Sequence, residues 1–159
     1  MSDKGEHPRI VLVRHANAKN RAPGLPDIDR PLTGKGVRVF EVLLPQAVAH
    51  LNGQRLALWT SHALRARQTA ELLAQALAIN DMETHDWIYD GDWAQLEAAL
   101  KAPREKVDAV IIVGHQPWLS DWAARISGQD IPFRKGEMAC FDSPWSTGAG
   151  KIRWRVTQP

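Results

Sequence analysis

Ile10-Val11-Leu12-Val13-Arg14-His15 decides the architecture. Aliphatic residues follow one another without polar alternation, as in a strand covered on both faces, and the run stops at two basic residues. Val107-Asp108-Ala109-Val110-Ile111-Ile112-Val113-Gly114-His115 repeats the pattern and also runs straight into a histidine. Between them, Leu56 to Trp59 reads as a shorter strand that leads into Ser61-His62-Ala63-Leu64-Arg65. Buried strands that deliver basic residues at their carboxyl ends describe an open parallel sheet, where ligands gather beyond the strand ends.

Helices fill the intervals. Thr33 is placed to cap a helix that runs to about Asn52, with Val37, Phe40, Leu43, Leu44, Val48 and Leu51 on one side and a bend expected at Pro45. Ser61 is placed to cap a second, from about Ala63 to Leu77, with Leu64, Leu72, Leu73, Ala76 and Leu77 as its apolar stripe. Met82 to Trp87 reads as a further strand and Trp93 to Leu100 as a short helix. Pro117 opens a helix that reaches Ile126, with Gly128 as its stop. Met138 to Phe141 and Ile152 to Val156 close the chain as strands. In the last, Ile152, Trp154 and Val156 alternate with Arg153 and Arg155, which suits a sheet edge. The pattern predicts a three-layer α/β/α sandwich with a mainly parallel central sheet and an antiparallel edge strand, built as a single domain over residues 1–159. Ala16 to Leu32, rich in Pro, Gly, Asn and Asp, reads as a long loop and a candidate wall for a site.

Composition narrows the class. The 159 residues are 44% hydrophobic and 24% charged, the balance of a globular chain rather than a disordered tail, a collagen-like fibre or a coiled coil. A formal net charge of +2 gives no reason to expect a nucleic-acid partner. The one cysteine, Cys140, excludes an internal disulfide and a cysteine-rich metal knuckle. Met1 to Arg9 lacks the apolar core of a signal peptide, and the run Val110 to Val113 is too short to span a bilayer. A cytoplasmic protein with no membrane partner is expected, and the oligomeric state stays open.

The strand ends carry the chemistry. Arg14, His15, Arg65 and His115 would meet at one edge of the sheet, with Arg65 in the first turn of a helix whose free N–H groups favour anions. A cationic cluster with no carboxylate in its own short motifs suits a dianion such as a phosphoryl group. No H-x-H or H-E-x-x-H spacing occurs, and no metal or other cofactor is expected.

Several segments, in order over about residues 9 to 120, resemble the histidine phosphatase superfamily, the phosphoglycerate mutase-like group. Leu12-Val13-Arg14-His15-Ala16 is similar to its Arg-His-Gly signature, with Ala16 in place of the usual glycine. Ser61 to Ala70, S-H-A-L-R-A-R-Q-T-A, looks like its second arginine motif, and Val113-Gly114-His115-Gln116-Pro117 resembles the element that brings its second histidine. Asp29-Arg30-Pro31-Leu32-Thr33-Gly34-Lys35-Gly36 is similar to a segment of the short phosphohistidine phosphatases of the SixA type. The resemblance implies a metal-independent phosphatase. His15 would attack phosphorus and carry the phosphoryl group, while Arg14, Arg65 and His115 hold the equatorial oxygens. Many family members add a carboxylic acid after a middle strand. The corresponding region here, Ile88-Tyr89-Asp90-Gly91-Asp92-Trp93, offers Asp90 and Asp92 as candidates for that general acid. An alkoxide leaving group needs such a proton far more than imidazole, whose pKa is about 6.5.

With two candidates and neither aligned to the role, the demands of the leaving group tip the expected substrate towards phosphohistidine on a signalling protein such as a histidine phosphotransfer domain. The alternatives are a phosphomonoesterase for a small phosphorylated metabolite, in which Asp90 or Asp92 is a working acid, and a non-catalytic phosphoryl-binding module. A mutase is less favoured, because nothing marks a bisphosphate site. His62, where the family often has proline, reads as a turn residue, and His7, His50 and His85 as surface residues. Asn17 reads as a substrate contact or a loop stabiliser. Asp29 and Arg30 are expected to pair with each other or with the loop backbone, and Arg67 to be a solvated charge. Trp118 and Trp122, four apart on a helix, read as core, and Trp87 and Trp93 as partly buried near the pocket mouth.

Overall fold

The computed structural model describes residues 7–145 and 148–159, so most of the polar stretch from Met1 to Arg9 lies outside the described residues. The strands are β1 (Arg9–Arg14), β2 (Leu56–Thr60), β3 (Glu83–Thr84), β4 (Ala109–Gly114), β5 (Met138–Phe141) and β6 (Ile152–Val156). They form one sheet in the order β3-β2-β4-β1-β5-β6. β1, β2, β3 and β4 run parallel, whereas β5 pairs antiparallel with both β1 and β6. The edge strand β6 is thus antiparallel to its neighbour, but β5 is the strand whose direction reverses.

The helices are α1 (Gly34–Leu51), α2 (Leu64–Leu77), α3 (Asp86–Asp90), α4 (Trp93–Lys101) and α5 (Trp118–Ser127). Side chains of a strand alternate between faces, and this separates two cores. Val11, Val13, Ile111 and Val113 point to one side, where they pack with Phe40, Leu43 and Leu51 of α1 and Leu73 of α2. Ile10, Leu12, Val110 and Ile112 point to the other, against Ile88 of α3, Leu96 of α4, and Leu119 and Trp122 of α5. This double cover explains the unbroken apolar runs, since neither face of β1 or β4 meets water. No helix among the described residues is long and apolar enough to cross a membrane.

Thr33 caps α1 as expected, its side chain accepting from the Gly36 N–H at 2.9 Å. Pro45 lies inside α1 on its exposed side. Two expectations change. The strand over Met82 to Trp87 shrinks to Glu83–Thr84, because β3 is the outer edge of the sheet and Trp87 and Ile88 find cover by turning into α3. Ser61 does not cap α2: Ala63 holds that position, and the Ser61 hydroxyl serves the Ala63 N–H at 3.1 Å and His115 at 2.8 Å.

The register matters most for function. Arg14 pairs with Gly114 across β1 and β4, so His15 and His115 leave adjacent strands at the same level.

Candidate active site

His15 sits one residue beyond β1, only 7% exposed. Its Nδ1 lies 2.7 Å from the carbonyl oxygen of Ala16. A carbonyl can only accept, so Nδ1 carries the proton and Nε2 keeps a free lone pair. Ala16 is itself fixed, its N–H donating to Thr69 Oγ1 at 3.0 Å. That hydroxyl in turn donates to the Arg65 carbonyl at 2.8 Å, which joins the loop after β1 to the first turn of α2. The rings of His15 and His115 stand 5.2 Å apart.

The other members of the cluster each keep a nitrogen in reserve. Arg14 donates through Nη1 to the Phe133 carbonyl at 2.9 Å, and Arg65 through Nη1 and Nη2 to Asp27 at 2.8 and 3.1 Å. His115 Nε2 meets Ser61 Oγ at 2.8 Å. Because that oxygen already accepts from Ala63, its own proton is free to go to Nε2, which leaves the His115 proton on Nδ1. Arg14 Nε, Arg65 Nε and His115 Nδ1 are buried with no protein partner. Buried donors without acceptors are costly to a protein alone. An anion with several oxygens would satisfy them together.

Burial is the first cause that pushes both histidines down to a pKa of about 3. Arg65, Arg14 and Lys135 lower His15 further, against the Ala16 bond, while His15 and Arg65 lower His115 further. Both rings are therefore neutral at pH 7, and His15 is ready to act through Nε2 without first losing a proton.

The sequence reading missed two residues that shape this place. Asp27, in the 3-10 turn Asp27–Asp29 of the long loop, accepts from Arg65, from Arg30 Nε at 3.0 Å and from the Tyr89 hydroxyl at 2.6 Å. Those donors hold its carboxyl well below the usual carboxylate range, the Tyr89 bond first. Arg30 thus pairs with Asp27 rather than Asp29, an i, i+3 spacing visible in the sequence. Tyr89 is the one tyrosine of the chain, and its ring lies edge-on to His115 at 5.3 Å. Asp90 and Asp92 share no hydrogen bond with Arg14, His15, Arg65 or His115. Asp90 ends α3 exposed, and Asp92 caps α4, accepting from the Gln95 N–H at 3.2 Å.

The remaining expectations divide. Asn17 stabilises its loop, donating to Thr33 Oγ1 at 3.0 Å and accepting from Lys135 Nζ at 2.8 Å. Arg67 is half-buried rather than solvated, with Nε on the His62 carbonyl at 3.1 Å. Trp122 is core, and Trp87, Trp93 and Trp118 pack partly buried against the same cluster. His50 stacks on Trp154, and His85 faces Glu83 at 3.2 Å.

Known proteins share this fold. The sequence profile of the histidine phosphatase superfamily (branch 1) matches residues 10–110. A protein of unassigned function from Picosynechococcus sp. is 37% identical over 130 residues, 74% of this chain and 72% of that one. The solved structure of a chain assigned as phosphohistidine phosphatase SixA in Agrobacterium tumefaciens superposes with a TM-score of 0.81 at 25% identity, covering 96% of this chain and 99% of that one. The protein histidine phosphatase SixA in complex with tungstate superposes at 0.79 with 24% identity, over 94% of this chain and 96% of that one, a likeness of fold.

Proposed function

Since the chain belongs to the histidine phosphatase superfamily, we propose that it is a phosphatase acting through a phosphohistidine formed on His15, and that its substrate is phosphohistidine on a signalling protein. The observation that carries this reading is the free Nε2 of a neutral His15 set among the unpartnered donors of Arg14, Arg65 and His115. The Nε2 lone pair attacks phosphorus in line, a P–N bond forms, and the bond to the leaving group breaks with its electron pair going to the leaving atom. Arg14, Arg65 and His115 stabilise charge on the equatorial oxygens, as fixed positive groups do in phosphoryl transfer. Water then attacks the phosphohistidine, releasing inorganic phosphate, and the broken P–N bond returns its pair to Nε2.

The choice of substrate rests on the leaving group. Asp27, the carboxylate bonded to Arg65, is held ionised by Tyr89, Arg65 and Arg30 and has no proton to give at neutral pH. Asp90 is exposed at the end of α3 and Asp92 caps α4, and neither shares a hydrogen bond with the cluster. An ester oxygen would depart without help, whereas an imidazole whose second nitrogen is already protonated departs neutral. Likeness in fold to SixA proteins points the same way. We place the activity in a single cytoplasmic domain that acts on a phosphotransfer domain without a metal.

Phosphate release from a phosphohistidine-bearing phosphotransfer domain, measured beside p-nitrophenyl phosphate with EDTA present, tests the reading. Faster release from the phosphoprotein, lost in His15→Ala, supports it. Preference for the ester moves the substrate to small metabolites, and silence on both leaves a phosphoryl-binding module.

A further inference from the structure

We propose that Tyr89 and His62 form a subsite for the departing imidazole of the substrate, which makes His62 a specificity-determining residue. The inference rests on the phosphohistidine reading above and assigns the part of the substrate beyond phosphorus. A series of ring contacts links the proposed nucleophile to His62. His15 lies 5.2 Å from His115, the Tyr89 ring meets His115 edge-on at 5.3 Å, and His62 meets Tyr89 at 5.3 Å and 62°. Aromatic rings favour these tilted and edge-on arrangements, and a flat heterocycle entering beside them gains the same contacts.

The wall is fixed without a ligand. The Tyr89 hydroxyl is held by Asp27 at 2.6 Å, and Asp27 by Arg65 and Arg30. His62 is half-buried, with its carbonyl oxygen bonded to Arg67 Nε. Its Nδ1 is shielded from solvent and has no protein partner. An unpaired buried polar atom lowers stability, and a donor from a ligand would satisfy it.

The chemistry identifies the guest. Phosphohistidine leaves most easily when its far ring nitrogen carries a proton, because cleavage then yields neutral imidazole. As His15 Nε2 bonds to phosphorus, the substrate P–N pair passes to the near nitrogen and the far N–H stays in place. His62 Nδ1 accepts that N–H, and Tyr89 covers the ring. A small leaving group such as ammonia reaches neither residue.

The test compares phosphoimidazole with phosphoramidate, both P–N substrates, by the ratio of their kcat/KM values. In His62→Ala and Tyr89→Leu the ratio falls about tenfold, the size of effect expected when a pocket loses one specific contact. Tyr89→Phe, which keeps the ring, retains most of the ratio. A urea midpoint for each variant, with His62→Asn as a second replacement, separates loss of the subsite from loss of the fold. An unchanged ratio in folded His62→Ala and His62→Asn overturns the subsite while leaving the phosphatase reading intact. Failure of the wild-type protein on both substrates overturns the phosphatase reading, and the subsite with it.

Discussion

Tyr89 and Asp27, 62 residues apart in sequence, share a hydrogen bond of 2.6 Å, and the same carboxylate oxygen accepts from Arg65 Nη2 at 3.1 Å. The long loop after β1 is thereby tied both to the first turn of α2 and to α3. Both terminal nitrogens of Arg65 donate to Asp27, one to its carboxylate and one to its carbonyl oxygen, and Nε is buried without a protein partner.

Asp27 is on these grounds a positioning residue for Arg65. Asp27→Ala removes the anchor and lowers kcat/KM on any phosphoryl substrate by roughly 10- to 100-fold, the range for hydrogen bonds to charged groups. Asp27→Asn keeps an acceptor oxygen and recovers part of the loss. Steady-state kinetics on both variants checks this, and equal rates for Asp27→Ala and wild type would exclude the role.

The two histidines set a pH window. Their folded pKa is about 3, against about 6.5 for an unfolded histidine. Between those values the unfolded chain binds protons that the native site refuses, so stability falls as pH drops from about 6.5 towards 3 and is complete above that window. Urea midpoints at pH 7 and pH 4.5 should differ more in wild type than in a His15→Asn, His115→Asn double variant. Proton NMR should show both rings failing to titrate between pH 5 and 8, and a midpoint near 6.5 for either would refute the neutral pair.

These properties were unevenly legible in the sequence. β1 and β4 stood out because burial on both faces removes polar residues entirely, and their basic carboxyl ends announced the cluster. The register that sets Arg14 beside Gly114 left no mark in either strand. The sequence predicts a longer β3 because an apolar residue such as Trp87 serves a helix turn as well as a strand. Asp27 stayed hidden because its partners come from α2 and α3, and only the fold of the loop brings them to it. Asp90 and Asp92 are the acids the sequence offers there, but they stand at helix ends.

Cys140 makes a contrasting case of a reactive side chain made inert. It lies in β5, buried, and burial pushes its thiol up to about 12. Native protein at pH 8 should incorporate no thiol-specific reagent until denaturant unfolds the sheet, so that labelling tracks the unfolding curve. Rapid labelling of the native protein would contradict the burial.

Gly36 offers a way to disturb the proposed nucleophile without touching the cluster. It lies in the first turn of α1, where an added Cβ would run into the carbonyl oxygen of Asn17. That oxygen accepts from the Thr33 N–H at 3.0 Å, and the preceding residue, Ala16, holds the His15 proton. Alanine favours a helix over glycine by up to about 1 kcal/mol, which offsets part of the clash in overall stability. Gly36→Ala should therefore lower kcat by tenfold or more, about 1.4 kcal/mol in the barrier, and lower the urea midpoint as well, because the Asn17 backbone has to shift. Gly34→Ala is the control, since its Cβ would meet only the mobile end of Arg38 at 3.3 Å. Equal activity in the two variants would show that the Ala16 carbonyl does not set the His15 tautomer through the position of its loop.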